Sequence, residues 1–326
     1  MADSSSVMTG DLESLLKMLE SPGGLAIMAA WMLLVFVLFP PGAKDQPEDD
    51  PSLKDAYLTF STYEPKATWS SDWKVLKAMW FSKITGSDLQ ERLNSFYETQ
   101  ADLYDSYRFR MLHGRPLMLK GVTRHLKPSA AIKKKGLVWV DLACGTGYNV
   151  ENFRTCLKKF QKIYLLDLCV PLCKVAQRER ADKYNDPGKE NKKITVIHGD
   201  ATDFECAELP PAGTVDLVTI SYSLVMIPDW HKALANAKRL LKPGVGMIAV
   251  SDFTVAPDQM GMMKSFWTKT FEQDHVFLDE AHLKALYTNF DVVEAAGAYG
   301  PLPYTPSFLQ PAYYHFVGTN KKKEKE

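Results

Sequence analysis

The segment Val140-Asp141-Leu142-Ala143-Cys144-Gly145-Thr146-Gly147 constrains the fold more than any other part of this chain. An apolar run from Leu137 ends in an acidic residue, Asp141, and passes into a glycine turn. A helical pattern follows from Asn149 to Phe160. Glycine has no Cβ, so the backbone at such a turn can pass close to a ligand. A helix start adds N–H groups that have no partner within the helix. A second apolar run, Lys162 to Asp167, ends about twenty residues past Gly147 in another acidic residue, placed to accept hydrogen bonds from ribose hydroxyls.

The rest of the chain repeats this rhythm. Ile194 to Asp200, Val215 to Tyr222 and Gly246 to Phe253 read as strands. A helix from Trp230 to Leu241 is stopped by Lys242-Pro243-Gly244. Two late apolar stretches, from Asp291 and from Ala312, read as a terminal hairpin pair. Strands alternating with helices predict an α/β fold: a doubly wound, mostly parallel sheet of seven strands, Rossmann-like, preceded by an N-terminal apolar helix. Lys and Arg number 39 and so do Asp and Glu, a balance that weighs against a nucleic-acid partner. The five cysteines, Cys144, Cys156, Cys169, Cys173 and Cys206, are odd in number and imply no disulfide scaffold. Their spacing fits no zinc or redox pair, and no metal is expected.

A dinucleotide fingerprint would carry a third glycine where Val150 stands. The order seen here, acidic residue, glycines, then Asp167, resembles class I S-adenosylmethionine-dependent methyltransferases. Asp200-Ala201 after the third strand, Ser221-Tyr222 at the end of the fourth and the Leu241-Lys242-Pro243-Gly244 turn agree with that resemblance. It implies a cofactor, S-adenosyl-L-methionine, held by Asp141, Ala143, Gly145, Thr146, Gly147, Asn149, Asp167, Leu168, Asp200, Ala201 and Ser221, with Tyr107 from a lid helix.

A narrower resemblance runs from Leu89 to Gly318. Tyr104-DSYRFRMLHGR, the block from Ser221 to Gly244, the block from Phe266 to Leu283 and the ending from Gly300 to Gly318 look like the methyltransferase half of betaine lipid synthases. That family trimethylates the amine of diacylglyceryl homoserine. Its other half, an aminocarboxypropyl transferase, has no room in this chain, so a separate transferase is the expected partner. The alternatives are methylation of phosphatidylethanolamine, methylation of a soluble amine or thioether, and a tethered cofactor-binding protein without turnover.

Methyl transfer to an amine needs a neutral nucleophile, which a water-poor pocket favours, and a nearby base helps proton loss. Asp252, His275 and Asp229 are the candidate bases. Tyr97, Tyr104, Tyr107, Tyr222, Trp267 and Tyr304 are candidates for lining a cationic product, because aromatic faces attract quaternary ammonium groups. Tyr104 and Tyr107, three apart on one helix face, rank first, and Tyr222 next. The catalytic assignment is therefore Tyr222, Asp252, His275 and Tyr104, with Arg108 a candidate partner for a carboxylate.

Five segments follow. Residues 1–20 are a polar tail. Residues 21–43 carry no charge and are long enough to reach through a hydrocarbon layer of ~30 Å, so they are expected to be a membrane anchor. Residues 44–88 read as a linker and an amphipathic helix whose Trp73, Leu76, Trp80 and Ile84 recur at helical spacing. That helix suits either a lipid interface or docking on the domain. Residues 89–320 form the methyltransferase domain, and 321–326 a charged tail. A lipid acceptor would explain the N-terminus. The expected location is a membrane, either bound at its surface or spanned once, with the catalytic domain on the cytosolic side and the endoplasmic reticulum as the organelle.

Overall fold

The computed structural model describes residues 53, 56–81, 84–188, 192–272, 275–305 and 309–322. The expected anchor at 21–43 and the polar tail before it lie outside the described residues. Among the described residues no helix is long and apolar enough to cross a membrane. The chain divides into one unit of residues 49–300 with 311–326, and a second of 1–48 with 301–310. All that follows concerns the larger unit unless stated.

The strands are β1 (Leu137–Leu142), β2 (Phe160–Asp167), β3 (Ile194–His198), β4 (Leu217–Ser221), β5 (Met247–Thr254), β6 (Phe290–Tyr299) and β7 (Ala312–Asn320). They form one seven-stranded sheet in the order β3-β2-β1-β4-β5-β7-β6. The five strands β1 to β5 pair in parallel, while β7 runs antiparallel between β5 and β6. The two late stretches expected as a hairpin do pair, Ala295 opposite Phe316, but β7 also inserts against β5, with Val250 opposite Phe316.

Both faces of the sheet are covered, which is why its strands read as unbroken apolar runs. On β1, Leu137 and Trp139 face one core with Phe153, Phe160 and Val317. Val140 and Leu142 face the other, with Val218, Ile248 and Phe316. The helices are α1 (Trp69–Phe81), α2 (Leu89–Tyr97), α3 (Tyr104–Arg108), α4 (Gly114–His125), α5 (Ala130–Lys135), α6 (Asn149–Asn152), α7 (Val170–Ala176), α8 (Trp230–Leu240), α9 (Gly261–Glu272) and α10 (Ala281–Asn289). Met118, Leu119 and Val122 of α4 fill the first core. Ala233, Leu234, Ala237 and Leu240 of α8 fill the second, on the apolar stripe that a period of 3.6 residues predicts.

Three local expectations are corrected. The helix after the glycine turn stops at Asn152; residues 154–159 form a tighter 3₁₀ stretch beyond Phe153, whose φ of −112° leaves the helical range. The residues from Leu89 to Tyr107 keep helical spacing in the sequence, which predicts one helix, but the chain breaks there into α2, a 3₁₀ turn at Ala101–Leu103, and α3. The part of the linker from 56 to 63 is packed against the domain: Leu58 is buried in the core with Tyr57 and Phe60 against it, and Ser61 N–H donates to the Asn152 carbonyl at 2.8 Å. These aromatic and apolar side chains gain more from burial than a solvated linker would. In α1, Val75, Leu76 and Ala78 are buried and the buried Asp72 pairs with Arg110, so the described side chains dock this helix on the domain.

A buried charge network ties the glycine turn to its surroundings. Arg180 is 1% exposed. It donates from Nη1 to Glu151 Oε1 (3.1 Å), from Nε to the Gly147 carbonyl (3.3 Å) and from Nη2 to Asp105 Oδ2. Asp105 Oδ1 also accepts from Thr146 Oγ1. Removing one partner of a buried charge cluster strands the others. Arg180→Met is therefore expected to lower unfolding free energy by about 3 kcal/mol, read by urea denaturation; a loss under about 0.5 kcal/mol, the level of an unremarkable surface substitution, would show that the cluster is not an anchor.

Candidate active site

The strand order reverses between β1 and β4, and in open parallel sheets ligands bind at such a reversal, beyond the carboxyl ends of the strands. A cavity of about 990 Å³, counted out to its open mouth, lies there. Its walls come from the ends of β1, β2, β3 and β4, and from α2, α3, α4 and α7.

The glycine turn forms one wall. Gly145 and Gly147 have φ of +58° and +67°, the left-handed region where glycine carries no steric penalty. A Cβ on Gly145 would meet nothing nearer than Leu172 Cδ1 at 4.0 Å, so this face of the turn is open to the cavity. A Cβ on Gly147 would meet Leu165 Cδ1 at 2.8 Å, so that glycine serves close packing instead. Asp167, at the end of β2, is buried on the same wall. Its Oδ2 accepts the Gly145 N–H at 2.7 Å and its Oδ1 the Cys169 N–H at 2.8 Å. Each carboxylate oxygen has two lone pairs, so acceptor capacity remains. Burial raises the Asp167 pKa, and the two N–H donors oppose that rise.

Asp141 has a different place. It is fully buried behind the turn and does not line the cavity. Asn149 Nδ2 donates to both its oxygens at 3.1 Å, and Thr219 Oγ1 donates to Oδ1. Thr219 in turn accepts from Trp139 Nε1 at 2.8 Å. The same Asn149 Nδ2 reaches Ser221 Oγ at 3.1 Å. Burial pushes the Asp141 carboxyl up to about 7. These bonds join β1, β4 and α6 at the reversal point.

Of the residues expected to hold cofactor, Ala143, Gly145, Asp167, Leu168, Asp200, Ala201 and Ser221 line the cavity together. Asp141, Thr146, Gly147, Asn149 and Tyr107 do not. Thr146 turns its hydroxyl to Asp105. Tyr107 is 2% exposed with the Arg110 guanidinium 5.4 Å from its ring centre. Its partner in spacing, Tyr104, lines the cavity in edge contact with Tyr97, centroids 5.6 Å apart, and has Arg108 5.5 Å from its ring centre. Tyr97 Oη donates to Met226 Sδ at 3.8 Å, across the cavity from α2 to the loop after β4.

Of the three candidate bases, Asp252 and His275 lie off the cavity and Asp229 stands at its rim. Asp252 is fully buried outside the cavity, where it accepts backbone N–H groups of Ser223 (3.1 Å), Val225 (3.3 Å) and Phe253 (2.8 Å). It clamps the loop that carries Tyr222. His275 is half-buried in a turn after α9, at φ +57°, and does not line the cavity. Asp229 is exposed at the cavity rim, paired with Lys232 at 2.7 Å, which lowers its pKa. Tyr222 does line the cavity, at φ +56°, with its Oη accepting the Gly114 N–H at 2.9 Å. Burial raises its phenol pKa, which keeps the hydroxyl protonated. Trp267 packs with Phe271, centroids 5.6 Å apart, away from the cavity. Tyr304 belongs to the other unit.

Arg115 was not foreseen. It lines the cavity from α4 at 6% exposure. It is the last residue of the block Tyr104-DSYRFRMLHGR, which gave it no site role; its burial beside the reversal point marks it. Leu89 and Leu93 of α2 and Cys169 of the β2 exit also line the cavity without a sequence signal.

The open face of Gly145 and the remaining acceptor capacity of Asp167 fit a bound adenosine cofactor, and together the fold and site define a class I S-adenosylmethionine-dependent methyltransferase. The chain belongs to the methyltransferase domain family, whose model matches residues 104–294. Its cofactor is S-adenosylmethionine. A demethylmenaquinone methyltransferase of Thermobifida fusca is 28% identical over 165 residues, 51% of this chain and 62% of that protein. The ubiquinone/menaquinone biosynthesis C-methyltransferase UbiE of Hydrogenovibrio crunogenus is 29% identical over 174 residues, 53% of this chain and 63% of its own. The chain thus spans less than two thirds of these relatives. Among solved structures, Haemonchus contortus phosphoethanolamine N-methyltransferase 2, in complex with phosphomonomethylethanolamine and S-adenosylhomocysteine, has a TM-score of 0.50 at 16% identity, covering 71% of this chain and 60% of that one. A chain of the complex between the Haloferax volcanii Trm112 methyltransferase activator and a methyltransferase has a TM-score of 0.50 at 17% identity, covering 72% and 100%. These two share the fold.

Burial pushes the Asp252 carboxyl up to about 7, against 3.8 for the ordinary group. A carboxyl raised in the folded state holds more protons folded than unfolded between those values, so its share of stability falls as pH rises. Asp252→Asn has no such ionisation. The melting-temperature gap between wild type and Asp252→Asn is therefore expected to narrow from pH 5 to pH 8; a gap that widens would contradict the raised pKa.

Proposed function

We propose that this methyltransferase acts on the amine of a membrane lipid headgroup and converts diacylglyceryl homoserine to its trimethylated betaine form. The observation that carries this reading is the tyrosine wall of the cavity. Tyr97, Tyr104 and Tyr222 line the cavity, and Arg115 is the one basic side chain among the lining residues. Neutral aromatic faces suit a group that ends as a quaternary ammonium, each contributing ~0.5–2 kcal/mol.

When bound, S-adenosylmethionine supplies an electrophilic methyl group. The chain does the positioning. Gly145, Asp167, Asp200 and Ala201 hold the adenosine end, and Ser221 and Tyr222 border the reacting end. The acceptor amine must arrive neutral, which burial against Leu89, Leu93, Met226 and the tyrosines favours. Asp252 acts by fixing the loop that bears Tyr222. Holding two reactants in line replaces a bimolecular encounter and is the main source of rate here. The uncharged stretch from Ser21 to Ala43 gives the membrane attachment that a diacyl acceptor requires. An aminocarboxypropyl transfer to diacylglycerol must precede this step to make the homoserine lipid.

The relatives' names favour a second reading, C-methylation of a quinone such as demethylmenaquinone. Detergent-purified protein with methyl-labelled S-adenosylmethionine separates the two. Diacylglyceryl homoserine, phosphatidylethanolamine and reduced demethylmenaquinone are offered in parallel and the organic phase is analysed by mass. Label in a trimethylated homoserine lipid is expected; label confined to the quinone would replace the proposal with the second reading.

Tyr104 gives a sharper check. Tyr104→Phe keeps the ring face and is expected to stay within about threefold of wild-type kcat/KM. Tyr104→Ala removes it and should lower kcat/KM roughly 3- to 30-fold, the range of one cation–aromatic contact. Equal losses in both variants would point to the hydroxyl instead.

A further inference from the structure

Arg115 sits at the second position of α4 with its guanidinium 4.9 Å from the Tyr148 ring centre. It is 6% exposed, and its Nε is buried with no hydrogen-bond partner. Among the described residues no carboxylate forms an ion pair with it. Two carboxyl groups feel its charge, Asp105 and Asp141, as do Tyr148 and Tyr222. Both carboxyl groups are already committed elsewhere: Asp105 accepts from Arg180 and Thr146, and Asp141 from Asn149 and Thr219. Arg180 shows what this fold does with a structural buried arginine, pairing it with Asp105, Glu151 and a backbone carbonyl. Arg115 is treated differently, and it faces the cavity.

An unpaired buried guanidinium is unfavourable unless something brings it a partner. Its planar fork matches a carboxylate through two parallel hydrogen bonds. We propose that Arg115 is the carboxylate-recognition residue of the cavity, receiving the carboxylate of a bound molecule. Two molecules bring one: S-adenosylmethionine at its amino-acid end, and an acceptor with a homoserine headgroup. The second source rests on the lipid-headgroup reading; the first does not.

Calorimetric titration of the full-length protein in detergent separates the sources. S-Adenosylhomocysteine carries the amino-acid end, and 5′-methylthioadenosine lacks it. If the cofactor supplies the carboxylate, Arg115→Gln weakens S-adenosylhomocysteine about 10- to 100-fold, the size of a lost charge-assisted contact. Binding of 5′-methylthioadenosine stays unchanged, and Arg115→Lys falls between. If the acceptor supplies it, S-adenosylhomocysteine binding is unchanged. The KM for diacylglyceryl homoserine then rises by a similar factor, while that for phosphatidylethanolamine does not. Either pattern supports the proposal and names the source. The wild-type protein provides the same test without substitution, through decarboxylated S-adenosylhomocysteine and the carboxamide of the homoserine lipid. Equal weakening of S-adenosylhomocysteine and 5′-methylthioadenosine in Arg115→Gln, or no carboxylate-dependent change in either ligand, overturns the proposal. Absence of any lipid turnover with a carboxylate-dependent cofactor result would sink the lipid reading and leave this one standing.

Discussion

The glycine turn after β1 is held by two carboxylates, Asp167 and Asp105, with a third, Asp141, tying β1 to β4 and α6 beneath it, and the rest of the site depends on these bonds. Asp167 takes the Gly145 N–H from the β2 side. Asp141 takes Asn149 and Thr219 from beneath. Asp105, through Thr146 and Arg180, takes it from the α3 side. A turn of this kind has backbone in the left-handed region at Ala143, Gly145 and Gly147, which would be mobile if left to itself. Fixing it by charge-assisted hydrogen bonds in a dry interior gives a rigid edge against which a flat ligand can be placed.

This arrangement divides the labour among residues of the same type. Asp167 and Asp200 border the cavity, whereas Asp141 and Asp252 stand behind it. Asp252 holds the loop after β4 by the backbone N–H groups of Ser223 and Val225, whereas Asp141 binds the side chains of Asn149 and Thr219. The tyrosines divide in the same way, Tyr97, Tyr104 and Tyr222 facing the cavity and Tyr107 turned into the α3 packing against Arg110. Chemistry-bearing residue types at strand ends thus serve either the ligand or the loop that meets it, and only burial and bonding partners tell the two apart.

That distinction explains what was legible in the sequence. The seven strands and the reversal point follow from apolar runs alternating with helical stretches, because both faces of the sheet are covered and each run is long. The glycine turn with Asp167 was legible because its backbone demands are local. The surroundings of the candidate bases were not: Asp252, within β5, is committed to backbone N–H groups, and His275, after α9, lies off the cavity. The breaks within 89–108 and after Asn152 were not legible either, since the apolar positions there keep helical spacing while tertiary contacts bend the chain. Arg115 ends a block that carries the family resemblance, yet nothing in its spacing tells it from Arg108 and Arg110; only burial beside the cavity does. The packing of Tyr57, Leu58 and Phe60 was hidden by the prolines and acidic residues before them.

The structure of the protein bound to S-adenosylhomocysteine tests the central claim most directly. The account predicts the ribose against Asp167 and the base beside Asp200 and Ala201, with the sulfur facing Tyr222 and Tyr104. Asp141 would keep its bonds to Asn149 and Thr219. A nucleoside bound elsewhere, or a turn that must release Asp141 to admit it, would contradict the account.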